Sequence, residues 1–284
     1  MPAFVTLLDG LSFAECPRWR DDRLYFSDRY THSVLTVSID GVVESYARIS
    51  GRPAGLGFLP DGRLLIASMR DRKLLRREHD GSIVQHADLS TLACGDLNDL
   101  LVDAEGRAWV GSFGFDLFAG APASSTVLIS VDSDGTAAIA AYDLAFPNGA
   151  AITPDGRKLI IAETMANRLS AFTVSAGRLT DRRIWAAFGD APATTDVGRI
   201  LEKAEVAPDG ICLDAEGSVW VADVLHRRLI RVAEGGTILE ELPTNGLCAF
   251  ACMLGGPTAG LSLPAQRPPL TMQRRRRTIV PPSS

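Results

Sequence analysis

Several features that often reveal a protein's class are scarce or missing in this 284-residue chain. Its five cysteines are an odd number without a CxxC spacing, which favours reduced thiols over a disulfide framework or a zinc site. No window approaches the roughly 20 apolar residues of a membrane span. The first residues lack the basic and apolar regions of a signal peptide. We therefore expect a cytoplasmic protein that does not associate with membranes.

The sequence also lacks a net positive charge and the common nucleophile and nucleotide-binding motifs. A formal charge of −5 argues against nucleic acid as the main partner, because phosphate binding needs clustered Lys and Arg. There is no GxSxG elbow, no phosphate-binding P-loop and no GxGxxG after a strand, and the four histidines lack metal-type spacing. No stretch keeps a 3.6-residue apolar period, so helices should be minor.

What is present is one hairpin pattern, repeated five times. An apolar run, an acidic turn and a second apolar run recur as CPRWRDDRLYFSD (from Cys16), GLGFLPDGRLLIAS (Gly55), NDLLVDAEGRAWVGS (Asn98), NGAAITPDGRKLIIAE (Asn148) and PDGICLDAEGSVWVAD (Pro208). An acidic residue followed by glycine between apolar runs predicts a tight hairpin turn. Each copy is followed by further strand-like runs, so each unit should contain three or four antiparallel strands.

The spacing of these units predicts a β-propeller. The second runs begin 40, 44, 50 and 61 residues apart, and periods of about 40–50 residues with four strands are typical of propeller blades. Five hairpins and the partial start of another from Thr244 predict an all-β, six-bladed propeller over residues 1–256. The last blade could be incomplete, because the repeated pattern stops after Gly256.

The remaining residues, 257–284, form a tail of different composition. From Leu242 to Ser284 there is no Asp or Glu, whereas Arg and Pro are abundant. Pro is poorly tolerated in central strands, so we expect an irregular tail. We hypothesise that this shift reflects translation in another reading frame, which resequencing of the source DNA would test.

Registering the repeats on their acidic turn identifies a candidate site. Counting back seven residues reaches Glu15, Asn98, Asn148 and Asp209, and Ala54 in the second copy. The first strand of each blade lines the central channel, so these positions should converge at one mouth. Carboxylate and amide oxygens suit Ca²⁺, Mg²⁺ or Mn²⁺, with Zn²⁺ a poorer fit. Any one of these residues alone is more typical of a turn cap; their shared register favours a divalent cation on the axis.

Five stretches of the sequence resemble the regucalcin (senescence marker protein) and gluconolactonase family. They are ECPRW at 15–19, ND at 98–99, FPNG at 146–149, PDGIC at 208–212 and FACMLGG at 250–256. The resemblance implies a six-bladed propeller with an axial divalent cation, in a family whose members typically hydrolyse sugar lactones.

By that resemblance, Glu15, Asn148 and Asp209 are the metal ligands, and Asn98 matches a position near the cation that contacts substrate. Two positions depart from the family. Asp96 stands where many members carry a sugar-contacting Arg, and Cys16 stands where Gly is usual.

The expected activity is that of a gluconolactonase-like lactonase, a carboxylic ester hydrolase acting on a small-molecule lactone. The cation, with Ca²⁺ our first choice, would polarise the lactone carbonyl, and Asp209 would act as the general base that activates water. Two alternatives stay open because a fold does not fix a function: a non-catalytic cation-binding propeller that binds a ligand or partner, and a propeller that cleaves other esters or organophosphates. The sequence leaves the oligomeric state open.

Overall fold

The structure, a computed structural model, describes residues 6–256, 260–262 and 265–266. Five four-stranded antiparallel blades, each with its strands in chain order, account for most of this part of the chain. The first two are β1 (Ala14–Arg20), β2 (Arg23–Asp28), β3 (Ser33–Ser38), β4 (Val43–Arg48) and β5 (Pro53–Phe58), β6 (Leu64–Ser68), β7 (Lys73–Arg77), β8 (Ile83–Asp88). The third and fourth are β9 (Leu97–Val102), β10 (Ala108–Ser112), β11 (Thr126–Val131), β12 (Ala137–Leu144) and β13 (Pro147–Ile152), β14 (Lys158–Glu163), β15 (Arg168–Ser175), β16 (Arg178–Ala187). The fifth, after a short helix α1 (Val197–Lys203), is β17 (Pro208–Leu213), β18 (Val219–Asp223), β19 (Arg228–Val232), β20 (Ile238–Pro243).

The acidic turns connect the first and second strands of each blade, as the sequence predicts. Gly106 in the third blade has a φ of +83°, a conformation that costs glycine little. The first copy lacks this glycine, and Asp21 and Asp22 adopt φ values of +49° and +58° instead. Asp tolerates the left-handed region better than most residues, so the degenerate copy still forms a hairpin.

The first strands of the blades form the inner ring. β1, β5, β9, β13 and β17 contact one another in that order. A short strand β22 (Met253–Gly255) contacts both β17 and β1 and so closes the ring. It pairs with β23 (Gly260–Ser262), while β21 (Cys248–Ala249) pairs with β24 (Ala265–Gln266).

The predicted all-β propeller is confirmed, but the predicted blade number is wrong. The described residues form five complete blades, and two two-stranded sheets follow them where a sixth blade was expected. The physical reason lies in the sequence after Gly256, which has no acidic-turn hairpin to supply further strands. Residues 257–259, 263–264 and 267–284 lie outside the described part of the chain, so the irregular tail remains a prediction there.

The inner strands of a blade are more buried than the outermost strand. Every residue of β6 is buried, because neighbouring blades cover both of its faces, whereas the outermost strand β20 has exposed residues from Ile238 to Glu241. α1 begins at Asp196, whose side chain accepts a hydrogen bond from the Arg199 amide at 2.9 Å. The described residues contain one α-helix, α1. No helix in this part of the chain has the length and apolarity needed to cross a bilayer.

Replacing Gly210 with alanine should weaken ring closure. A Cβ on Gly210 would lie 2.5 Å from Cα of Ala251 and 3.0 Å from the Phe250 carbonyl oxygen, both backbone atoms of the closing segment. Overpacking of this kind costs about 1–3 kcal/mol, measurable by urea unfolding. The matched control is Gly198→Ala in α1, where the added methyl faces a surface side-chain oxygen at 3.3 Å and stability should not fall. Equal stability of the two variants would contradict the expectation.

Candidate active site at the channel mouth

Five residues occupy one equivalent place, the second residue of the innermost strand of each blade. They are Glu15, Ala54, Asn98, Asn148 and Asp209. The pairing of every inner strand shifts register at or around this place, between Glu15 and Arg18 in β1 and between Pro208 and Ile211 in β17. A β-bulge re-aims the side chains around it. The repeats therefore present these five side chains in the same way.

The two carboxylates at this place are buried and close enough to interact. The pKa of Glu15 is raised to about 7, mainly by burial; Arg29 opposes this shift, and the charge of Asp99 contributes to it. Burial also raises the pKa of Asp209 well above its usual range, with the charge of Glu15 as the next cause, and a hydrogen bond from Asn148 partly offsets this. The chain alone therefore leaves this pair short of compensating positive charge.

The two asparagines at this place have their amide nitrogens occupied. Nδ2 of Asn148 donates to Oγ1 of Thr164 at 3.2 Å, and that hydroxyl donates to the Pro208 carbonyl at 2.7 Å. Nδ2 of Asn98 donates to the Pro147 carbonyl at 3.1 Å. Because the nitrogen ends are used in this way, the Oδ1 atoms are the ends left to bind a cation or a hydroxyl group.

Arg29 is a site residue that sequence reasoning missed. It follows β2 directly and is buried, its Nη2 donates to Oε2 of Glu15, and its Cζ lies 4.7 Å from the ring centroid of Phe13. Its Nε is buried without a hydrogen-bond partner in the described part of the chain. The guanidinium supplies positive charge to Glu15 and retains one unused donor.

A second register explains how Arg29 and Thr164 reach the site. Each is the first residue after the second strand of its blade, and its amide bonds to the carbonyl just before the inner strand: Arg29 to Phe13 at 3.0 Å, and Thr164 to Phe146 at 3.3 Å. The same connection recurs in the other blades, from Met69, Phe113 and Val224 to Arg52, Asp96 and Ala207. Extending the repeat alignment by one residue beyond each second strand could have identified them.

Asp99 and Cys16 lie beside the carboxylates. Asp99 is buried and pairs with Arg18 across 3.3 Å between Oδ1 and Nη2. Cys16 has a φ of +52°, a region that favours glycine, which accounts physically for the Gly expected there by resemblance. Burial raises the pKa of the Cys16 thiol well above its usual range, and Asp99 adds to the shift.

Asp96, the departure from the resemblance, is half-buried and lies directly before β9. Burial raises its pKa, and Arg70 and Arg52 from the neighbouring blade are among the charges that oppose the shift. Cζ of Arg52 lies 5.1 Å from the Tyr30 ring centroid, and Cζ of Arg70 lies 5.5 Å from that of Phe118. The mouth therefore keeps guanidinium groups although position 96 is acidic.

The acids that end the second strands find their partners within their own blades. Asp28 accepts hydrogen bonds from Ser12 and the Phe13 amide. Glu163 is bonded to Arg168 and Arg182, and Asp223 to Arg228 and His226.

The donor set is compatible with a divalent cation. Across residues 6–256, 260–262 and 265–266, no three Asp, Glu, His or Cys side chains form a metal-binding group. The candidate ligands Glu15, Asn148 and Asp209 include two carboxylates, so the third donor must be an amide oxygen. Ca²⁺ accepts amide oxygens readily, and the raised pKa values of both carboxyls indicate a place where added positive charge would be favourable.

Known proteins resemble this chain at moderate sequence identity. The 6-deoxy-6-sulfogluconolactonase of Pseudomonas putida is 27% identical over 238 residues, which cover 81% of this chain and 76% of that protein. Strictosidine synthase-like protein 6 of Arabidopsis thaliana is 26% identical over 197 residues, which cover 64% of this chain. The matched region spans 47% of the length of the Arabidopsis protein.

Structural and family comparisons agree on the fold. The crystal structure of regucalcin from Agrobacterium tumefaciens superposes with a TM-score of 0.75 at 21% identity, covering 92% of this chain and 84% of that one. A family model described as the SMP-30/gluconolactonase/LRE-like region matches residues 13–260. Because this match includes all five blades and the closing strand, the chain belongs to the SMP-30/gluconolactonase/LRE-like family.

Proposed function

We propose that this protein is a divalent-cation-dependent lactonase that opens a sugar-type lactone. The main support is the convergence of Glu15, Asn98, Asn148 and Asp209 at one place on four inner strands, with both carboxylates buried. Two named relatives point the same way: one is a sulfogluconolactonase, and the regucalcin structure is described as that of a calcium-binding protein. Ca²⁺ is the preferred cation, with Mg²⁺, Mn²⁺ and Zn²⁺ as alternatives.

Glu15, Asn148 and Asp209 would hold the cation in this proposal. The bound cation would polarise the lactone carbonyl and favour the oxyanion that develops on attack. Arg29 opposes the rise in the pKa of Glu15 and orients its carboxyl group through a hydrogen bond. Thr164 fixes the Asn148 amide so that Oδ1 faces the ligand position.

The remaining side chains handle water and substrate. The Asp209 carboxylate accepts a proton from the attacking water, as a general base within hydrogen-bond reach of it. Oδ1 of Asn98 accepts a hydrogen bond from a substrate hydroxyl, since its Nδ2 is bound to Pro147. The unused Nε of Arg29 is a further donor for a substrate oxygen.

Hydrolysis of a small lactone panel tests this proposal. EDTA-stripped protein is assayed with a pH indicator after addition of Ca²⁺, Mg²⁺, Mn²⁺ or Zn²⁺, and its melting temperature (Tm) is recorded with each cation. We expect no turnover without metal, restored turnover with at least one cation, and a higher Tm with the same cation. Cation stabilisation without turnover would favour the non-catalytic binding propeller, and absence of both effects would contradict the cation site.

A further inference from the structure

Two buried thiols meet where the ring closes. Cys212 lies on the inner strand β17, Cys252 lies just before the closing strand β22, and their Sγ atoms are 3.8 Å apart. Cys212 is 5% exposed and Cys252 is 2% exposed. The other three cysteines, Cys16, Cys94 and Cys248, are free thiols without such a sulfur neighbour among the described residues.

The backbones that carry this pair are in tight contact. The Gly210 amide donates to the Phe250 carbonyl at 2.9 Å, and a Cβ on Gly210 would overlap Ala251. The Cys252 thiol also lies 3.6 Å from the Gly210 carbonyl oxygen and 3.5 Å from that of Trp220. A disulfide needs Cα atoms within about 7 Å and a sulfur–sulfur bond of about 2.05 Å. The two Sγ atoms, 3.8 Å apart, must therefore approach each other by side-chain rotation to form this bond.

Ring closure depends on a short segment. β22 has three residues and contacts β1 on one side and β17 on the other, whereas β13 and β17 meet along six-residue strands. On the β1 side, Gly255 packs directly on the Trp19 ring, so closely that a Cβ there would lie 2.3 Å from Trp19 Cδ1. A covalent link on the β17 side would attach this segment permanently to the fifth blade.

We propose that Cys212 and Cys252 form an oxidation site whose disulfide staples the closing segment to the fifth blade. A two-electron thiol oxidant converts the two S–H groups into one S–S bond. With diamide, a diazene, both electrons and both protons pass to the N=N group, which leaves as the hydrazine. The link joins residues 40 apart in the chain, and it removes conformational freedom from the unfolded state.

Burial controls how fast the link forms. The hydrogen bond with Cys212, followed by burial, raises the pKa of the Cys252 thiol well above its usual range. Since the thiolate is the reactive form, oxidation requires the closing segment to open transiently. Urea below the unfolding midpoint should therefore accelerate the reaction without changing which pair reacts.

The test uses the full chain carrying Cys94→Ser, which removes the exposed thiol. Diamide should lower the intact mass by about 2 Da, as expected for one S–S bond. Alkylation after denaturation should then label two thiols instead of four. Peptide mapping should join Cys212 to Cys252. The melting temperature should rise by about 5–10 °C, and dithiothreitol should reverse both changes.

Two further variants control for the other thiols and for stability. Cys252→Ser should lose both the thiol consumption and the rise in Tm, while Cys248→Ser should retain them. Four alkylatable thiols after diamide, both in buffer and in urea just below the midpoint, would overturn the proposal. So would a link between another pair, or a Cys212–Cys252 link that leaves the Tm unchanged. None of these readouts depends on lactone hydrolysis or on a cation.

Discussion

Asp209→Ala should abolish both cation binding and lactone turnover. The variant removes one of the two buried carboxylates that face the proposed cation, and with it the proposed general base. We expect kcat/KM to fall by at least about 10³-fold, and the cation-dependent rise in Tm to disappear. Isothermal titration with Ca²⁺ and stopped-time lactone assays measure the two losses separately.

The fold should survive this change. In the metal-free protein, Glu15 raises the pKa of Asp209 and burial penalises its charge, so removing Asp209 relieves a repulsion instead of breaking an ion pair. Metal-free stability should therefore be unchanged or slightly higher. Asp155→Ala is a matched control, because Asp155 is exposed on the hairpin turn at the far end of the fourth blade. Activity within tenfold of the parent in the Asp209 variant would eliminate the mechanism.

Asn98→Ala separates substrate positioning from cation binding at the same register. The amide of Asn98 is anchored to the Pro147 carbonyl at 3.1 Å and leaves Oδ1 for a substrate hydroxyl. The variant should keep the cation-dependent rise in Tm while turnover falls about 10- to 100-fold. Loss of the cation effect instead would place Asn98 among the ligands.

The features that the sequence predicts well are those that recur in it. The acidic turns identify the first two strands of each blade, and one register connects Glu15 with Asp209 although 194 residues separate them (209 − 15). The structure adds a β-bulge at this register in all five inner strands, which no residue type signals. Backbone geometry, and not side-chain identity alone, therefore contributes to how these side chains are presented.

The features that the sequence predicts poorly are those that arise once. Arg29 reaches Glu15 from a turn after β2, where the other blades have Met69, Phe113, Thr164 and Val224. Arg29 becomes part of the site only because the fold brings it next to Glu15. Ring closure is the second case, since it depends on β22 and on sequence that follows no repeat. The predicted sixth blade was wrong because the partial pattern that starts at Thr244 is not followed by an acidic-turn hairpin.

Glu163→Ala should be the most destabilising single change in the fourth blade. The carboxylate is fully buried and accepts hydrogen bonds from Arg168 at 3.0 and 3.1 Å, from Arg182 at 2.9 Å and from the Ala145 amide at 2.8 Å, as well as from Ser170. Removing it leaves the Arg168 guanidinium and the part-buried Ala145 amide without this acceptor, while Arg182 keeps the carbonyls of Tyr142 and Asp143. We expect a loss of about 3–5 kcal/mol in the free energy of unfolding, measured by urea titration.

The stability of the folded protein at acid pH should also depend on the hydrogen-bonded carboxylate of Glu163. Burial opposes the charge of Glu163, but hydrogen bonds from Arg168, Ser170 and Ala145 prevail and lower its pKa below 4.5 in the folded protein. A carboxyl with a lowered folded pKa stabilises the protein fully above its unfolded value, near 4.3. That stabilisation is lost as pH falls through the folded pKa. Glu163→Gln should therefore flatten the acid side of the stability curve.

An exposed glutamate that also has two cationic partners is the control. Glu234 pairs with Lys158 at 2.9 Å and Arg183 at 3.3 Å, but its side chain is 50% exposed. Solvent screens such pairs, so Glu234→Ala should cost less than about 1 kcal/mol.

Glu163 also binds the Ala145 amide, three residues before Asn148, and directly precedes Thr164, which orients Asn148. Its loss should therefore weaken cation binding at temperatures where the variant is still folded, whereas equal effects of the two substitutions would show that burial does not govern this network.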